Sequence, residues 1–334
     1  MFEEKLERLI EDYNLAEDGL KKVNICISIC ILSNDNRRFK FTLEYGFEAL
    51  KLLKNIKDET LLCKIYYLIA ISYGMQGQLD NAEVYLSKAL EIAKQTQDGY
   101  YLARIYHNFS FIEGGRLNIK GSLDYLIKSS QLCELNGYKD LLIENYICMG
   151  TAYLHFDNFS VALEYFKKGL KQTSLDTQKA RIRYSIGKVY YELGDLTEAY
   201  EHFKTAMKIF KKNNDIYSQL PILIHYGYIF LMKKQIDKAK EYAQSALTLS
   251  EENGFNTLYS ETLLLLGEIC IEERNYPEAE VYYRKFLKIE DLIQNINIVI
   301  SFYEKYINFK KMINDLVDID FYEKELQKWM ERKG

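Results

Sequence analysis

Proline is nearly absent, with two residues in 334. A chain so poor in the residue that breaks helices and stiffens linkers is built for long helices with short connections. Apolar runs are short as well. The longest, near Val23 to Leu32, falls well below the roughly 18 residues a membrane span needs. The opening stretch, MFEEKLERLIEDY, is acidic and amphipathic and has no secretory core. Positive charge is not in excess: 44 Lys and Arg face 48 Asp and Glu, for a formal net charge of −4. The two signs are interspersed, which argues against a nucleic-acid-binding face. The six cysteines form no metal-type CxxC pair; Cys26 and Cys30, four apart, are the nearest neighbours. Free, buried thiols in a reducing compartment are expected. Together these absences predict a soluble cytoplasmic protein with no membrane partner and no direct contact to nucleic acid.

What is present is a repeat, the first thing to seek in a long chain. Hydrophobic residues make up 48% of the sequence, enough for a continuous core. One unit reads Gly187, Tyr190, Gly194, Ala199, Phe203, Ala206. Another reads Ala70, Tyr73, Gly77, Ala82, Leu86, Ala89, with the same offsets, and a third reads Gly150, Tyr153, Asp157, Ala162, Phe166, Gly169. The small residue opening the second helix recurs as Thr42, Ala82, Ser122, Ala162, Ala199, Ala239 and Ala279. Successive intervals are 40, 40, 40, 37, 40 and 40. One more step lands on Ile319, in a degenerate last unit. One step back lands on Phe2, so the opening helix reads as half a repeat capping the array.

The pattern is steric. A glycine inside a helix costs about 1 kcal/mol relative to alanine. Its return at Gly187, Gly227 and Gly267, opposite Ala199, Ala239 and Ala279, therefore needs a close helix crossing. Gly77 and Gly194 fall where a left-handed residue ends the first helix. Asp80, Asp195 and Asp237 fall at or near the start of the second, where they cap it or favour its dipole.

This spacing resembles the tetratricopeptide repeat, lengthened from the usual period near 34 residues to about 40. The longer form is similar to repeats of Gram-positive peptide-sensing regulators and of other bacterial signalling proteins. HEAT arrays share the period but lack the Gly/Ala–Tyr–Gly–Ala–Phe–Ala series. The resemblance implies an all-α, right-handed superhelical solenoid of about eight antiparallel helix pairs. A single solenoid over 1–334 is expected: a capping half-repeat at 1–18, seven pairs over 20–290 and a degenerate pair at 291–334. Phe321, Tyr322, Leu326 and Trp329 are rather apolar for a finished end, so partial exposure and a homodimer contact are expected there.

Catalytic signatures are missing. Gly114-Gly115-Arg116-Leu117-Asn118-Ile119-Lys120-Gly121-Ser122 looks like a phosphate loop, but its Lys precedes the Gly and no strand leads into it. It reads as a helix–helix turn. No HExxH, GxSxG or EF-hand loop occurs. The histidines His107, His155, His202 and His225 lie on different repeats, out of a shared register, so neither a metal site nor a cofactor is expected.

In arrays of this kind the first helices line a concave wall. The helix face opposite the Gly/Tyr seam then supplies the candidate groove: Arg104, His107, Asn108, Phe111, Thr151, Arg181, Tyr184, Lys188, Tyr191, His225 and Tyr228, with Glu261 and Glu268 beyond. Asn, Arg and Tyr suit a peptide, because they bond its amides and carboxylates while aromatic faces hold its side chains. The resemblance thus implies a non-catalytic module of a cytoplasmic bacterial signalling system, binding a peptide or protein in the groove. Two other readings remain open. One is a peptide-pheromone-responsive transcriptional regulator lacking or separated from its DNA-binding domain, since the roughly twenty residues before the first full pair are too few for one. The other is an adaptor using the convex face.

Overall fold

The computed structural model describes residues 2–293 and 295–333. Among these, helix α1 (Phe2–Leu15) precedes eight helix pairs. They are α2/α3 (Gly19–Asp35, Phe39–Ile56), α4/α5 (Glu59–Met75, Leu79–Gln95), α6/α7 (Gly99–Gly115, Ile119–Asn136) and α8/α9 (Lys139–His155, Phe159–Gln172). Then follow α10/α11 (Asp176–Glu192, Leu196–Lys212), α12/α13 (Ile216–Met232, Ile236–Glu252), α14/α15 (Asn256–Glu272, Tyr276–Leu287) and α16/α17 (Ile296–Met312, Ile319–Lys333). No strand occurs among the described residues. The chain divides between Ser174 and Leu175 into two compact units. In each, the two helices of a pair pack on one another, and successive pairs pack together.

The turns set the regularity. Most helices run 17 residues and are joined by three. One residue of the turn is left-handed, the middle one where the turn has three and the first where it has two, and it recurs every 20 residues at Arg37, Lys57, Gly77, Gln97, Leu117, Gly137 and Asp157. The second unit repeats this at Gly194, Asn214, Lys234, Gly254 and Arg274. The next residue closes the helix behind it through a backbone N–H. Asp98 donates to the Ala93 carbonyl at 3.0 Å, Asn118 to Glu113 at 2.9 Å and Asp195 to Tyr190 at 2.9 Å. Its side chain then caps the helix ahead. Asp98 accepts from the Tyr101 N–H at 3.0 Å, Asn118 from Gly121 at 3.1 Å and Asp195 from Glu198 at 3.1 Å. The phosphate-loop lookalike is one of these turns, with Leu117 left-handed and Asn118 capping. Asp195 is a cap as expected, whereas Asp80 and Asp237 lie one residue inside their helices, favouring the dipole.

The interval of 37 has a local cause. α9 is only 14 residues long and ends on Thr173 in an extended conformation, with no left-handed turn. Three residues are thereby lost between Ala162 and Ala199.

Crossings within pairs explain the small residues. A Cβ at Gly187 would sit 2.7 Å from the Phe203 ring and 3.3 Å from the Ala199 carbonyl oxygen. One at Gly150 would sit 2.5 Å from the Phe166 ring. Ala82, Ala162, Ala199, Ala239 and Ala279 are all buried. The cysteines are free, and all but Cys148 are buried; burial pushes the Cys63 thiol up to about 12.

At the C-terminal end, α15 stops early and a short 3-10 turn (Glu290–Leu292) leads to α16. Phe286 stacks on Phe302 at 4.0 Å, and the buried Tyr303 and Tyr306 bond Glu290 and Glu280. On α17, Tyr322, Leu326 and Trp329 are partly buried against this core, and Phe321 is exposed.

Replacing Ala199 by Leu is expected to overpack a crossing and cost about 1–3 kcal/mol. Thermal unfolding followed by circular dichroism measures it; a melt equal to wild type would mean that the crossing at Ala199 has room the packing does not show.

Candidate functional site

In the first unit, α6 presents Arg104, His107, Asn108 and Phe111 on successive turns of one face. Arg104 is held by phenols. Its Nε donates to the Tyr67 hydroxyl at 2.9 Å and its Nη1 to the Tyr100 hydroxyl at 2.7 Å. The guanidinium also lies over both rings, at 5.2 and 5.5 Å from their centres. Asn108 donates from Nδ2 to the same Tyr67 hydroxyl at 3.1 Å and to the Arg104 carbonyl at 2.8 Å. Its Oδ1 is thereby oriented as an acceptor.

Beside Asn108 opens a cavity of about 460 Å³. Ile71, Leu79, Leu86 and Ile112 give it an apolar lining, and Met75 and Phe111 sit at its edge, 48% and 55% exposed. The floor comes from α5, whose Ala82 is small for the crossing reason already given.

His107 and Thr151 are tied into the scaffold. His107 Nδ1 lies 2.7 Å from Asn145 Oδ1. The Asn145 Nδ2 donates to Ser129 Oγ at 2.9 Å, and Ser129 donates to the Ala103 carbonyl at 2.8 Å. Asn145 and Ser129 are fully buried, so this chain satisfies polar groups shared by α6, α7 and α8. The Thr151 hydroxyl donates to the Ile147 carbonyl one turn back, at 2.9 Å.

In the second unit, α10 contributes Arg181, Tyr184, Lys188 and Tyr191, and α12 contributes His225 and Tyr228. Arg181 is exposed. His225 sits in an aromatic enclosure, 5.8 Å from Tyr184, 5.3 Å from Tyr191 and 4.9 Å from Phe203 between ring centres. Its Nδ1 is 2.6 Å from the Pro221 carbonyl oxygen, so this nitrogen carries the proton of the neutral ring. Burial lowers its pKa to about 4; the Pro221 bond opposes the shift and the Lys188 charge adds to it. Glu261 on α14 is shifted the other way, up to about 7, by burial that Lys188 only partly offsets. Glu261, Tyr228, Leu264, Ile298 and Lys305 line a smaller cavity of about 260 Å³. Lys305 is paired with Glu268.

The candidate residues lie on first helices in both units. The sequence did not identify Tyr67 and Tyr100 as the holders of Arg104, the Met75 edge of the cavity, or Asn145. Tyr100 precedes Arg104 by one helical turn, a spacing that signals such a contact.

The sequence pattern of the tetratricopeptide repeat matches residues 178–252, and also 64–96 and 260–291. The matched ranges fall on the paired helices and small-residue crossings described above. The chain carries tetratricopeptide repeats. It is 24% identical over 212 residues to the anaphase-promoting complex subunit CDC16 of Saccharomyces cerevisiae, covering 62% of this chain and only 23% of that protein. It is 21% identical over 285 residues to the transcriptional activator NprA of Geobacillus stearothermophilus, covering 80% and 70% of the two chains. Its fold matches the apo form of the quorum sensor NprR from B. thuringiensis at a TM-score of 0.72 and 16% identity, covering 97% of this chain and 92% of that one. NprR in complex with its cognate peptide NprX matches at 0.64 and 17% identity, covering 93% and 89%. This chain's own repeat period is mostly 40 residues.

His225 and Glu261 give the second unit opposing pH dependences. His225, lowered from 6.5, supplies stability that is present above pH 6.5 and is lost as pH falls toward about 4. Glu261, raised from 4.5, supplies stability that is present below pH 4.5 and is lost as pH rises toward about 7. Between pH 4.5 and 6.5 the two offset one another. Relative to wild type, Glu261→Gln is expected to lose stability on acidification across this window, and His225→Gln on alkalinisation. Urea unfolding at stepped pH measures both; parallel profiles for all three proteins would refute the opposition.

Proposed function

We propose that this protein is a peptide-binding module of a cytoplasmic signalling system, non-catalytic, with the ligand anchored on the first-helix face of the first unit. The observation that carries the reading is the apolar cavity of about 460 Å³ opening beside Asn108. A few placed polar groups around an apolar hollow are what a small-ligand or peptide site requires. Asn108 offers its Oδ1 to a backbone N–H, and the cavity accepts one bulky side chain. The likeness to NprR, solved with its peptide NprX, supports this reading, as does the likeness to NprA. In the second unit, Arg181, Tyr184, Lys188, Tyr191, His225 and Tyr228 are proposed as a further contact face of their own.

The test uses the full chain and a random heptapeptide pool. Peptides retained by wild type are titrated against Asn108→Ala and against Lys88→Ala, a control on second helix α5. Asn108→Ala is expected to weaken binding by about 1–3 kcal/mol through loss of a partly buried hydrogen bond, and Lys88→Ala to leave it unchanged. Equal affinity for wild type and Asn108→Ala would move the site off this face and favour the second-helix adaptor reading.

Self-association is proposed at the C-terminal end, where Met312, Leu316, Val317 and Phe321 are exposed together in sequence. Sedimentation equilibrium is expected to show a dimer that Phe321→Glu dissociates. A monomeric wild type would refute it.

A further inference from the structure

The last helix pair departs from the pattern that shapes the others. In the second unit's earlier pairs, Gly187, Gly227 and Gly267 on the first helix fall in register with Ala199, Ala239 and Ala279 on the second. In α16/α17 those registers carry Ile307 and Ile319, both buried. Bulk at both positions removes the close approach that the small residues permit.

The connection before α17 differs as well. Asn314 is left-handed in its regular place, and the Asp315 N–H closes α16 on the Lys310 carbonyl at 3.0 Å. The buried Lys310 ammonium pairs with the Asp315 carboxylate and fixes this part of the turn. At the equivalent point Leu196, Ile236 and Tyr276 already begin a helix. Here Leu316, Val317 and Asp318 intervene, and α17 starts only at Ile319. Leu316 and Val317 are 62% and 68% exposed. Asp318 is left-handed, the second such residue within five positions, and a side chain in that region costs backbone energy. The chain thus completes a regular turn and then adds a second bend whose two apolar residues are exposed.

α17 itself has an apolar docking face. Tyr322 meets the Tyr306 ring at 4.9 Å and the Tyr303 ring at 6.4 Å, and Leu326 and Trp329 pack on the same core. Its packing is chiefly on α16, whereas α11 and α13 each pack on a first helix on either side. A helix resting on one neighbour finds the same seat on a second copy of the chain. The docking contacts are then identical in the two arrangements, so the hinge decides between them.

We propose that α17 exchanges between two copies of this chain, each copy's α17 docking on the other's α16, with residues 316–318 as the hinge. This rests on the self-association reading above and gives it a mechanism. Three extended residues reach about 10 Å, roughly one helix-to-helix spacing, which carries α17 onto an α16 lying alongside. Straightening the hinge releases the left-handed Asp318. It also brings two hinges past one another, so Leu316 and Val317, exposed in the closed form, are covered by their counterparts in the exchanged one.

The experiment uses the full chain in light-nitrogen and heavy-nitrogen forms, with Tyr322→p-benzoylphenylalanine as a photoreactive probe on the docked face of α17. The two forms are unfolded in urea, mixed equally, refolded and irradiated. Mass spectrometry then reads the crosslinked pairs of α16 and α17 peptides. Exchange predicts a dimer in which about half of these pairs carry both isotopes, as random pairing of copies requires. Should the probe at Tyr322 prevent folding, Trp329→p-benzoylphenylalanine reads the same contact. A flexible Gly/Ser segment of about six residues inserted after Asp318 lets α17 return to its own α16, and the dimer's dissociation constant is expected to rise at least tenfold. A dimer whose pairs are all of one isotope overturns the exchange and leaves self-association standing, as does a dissociation constant unchanged by the insertion. A monomeric wild type overturns self-association and the exchange with it.

Discussion

A three-residue turn sets everything else in this chain. Its middle residue is left-handed, and its last residue both closes one helix and caps the next. Because the turn is so economical, helix length is held near 17 residues, and equivalent positions recur at fixed intervals. The first helices thus bring Arg104 and Glu144 into one register in the first unit, and Arg181, Pro221 and Glu261 into the same register in the second. Side-chain chemistry can change at that register without touching the scaffold, because the crossings are decided on the opposite face by Gly150, Gly187 and their alanine partners.

The 40-residue period was legible because small residues at crossings are chemically constrained: at Gly187 a Cβ would strike an aromatic ring. The 20-residue period of the turns was not. Of the left-handed turn positions, Gly77, Gly137, Gly194 and Gly254 carry the residue that advertises such a conformation, while Arg37, Lys57, Gln97, Leu117, Asp157, Asn214, Lys234 and Arg274 do not. Those side chains are tolerated because the turn is over-determined by its hydrogen bonds, and the local strain is absorbed by the fold. The interval of 37 was visible as a number, but its cause, an extended Thr173 in place of a turn, needed the structure.

For the candidate residues, placement on first helices was readable from the repeat, and their contacts were not. His107 and Asn108 are adjacent in sequence, yet one joins a buried chain through Asn145 and Ser129 while the other edges an open cavity. Composition cannot separate them, because what differs is the partner on the next helix. The tyrosines misled in the same way. They recur at Tyr73, Tyr153 and Tyr190 as seam-filling residues, which hid that Tyr67 and Tyr100 act through their hydroxyls.

That phenols hold Arg104 has a physical consequence. A carboxylate in their place would orient the guanidinium at least as firmly, through charge-assisted bonds. It would also cancel the charge, and any anionic ligand would then have to displace it. A phenol accepts the same hydrogen bond while remaining neutral. Tyr67 is buried, and burial raises its pKa further above the ordinary tyrosine value, against the lowering by Arg104 and Asn108. Its hydroxyl therefore stays un-ionised beside a cation that would otherwise favour the phenolate. The second unit uses the opposite arrangement, with Lys305 against Glu268 and Lys188 near Glu261. Fixing a cation with neutral acceptors keeps its full field directed outward, where partial exclusion of water strengthens it. The first unit thus keeps an oriented charge one helical turn from Asn108, which lines the apolar hollow, whereas the second pairs Lys305 with Glu268.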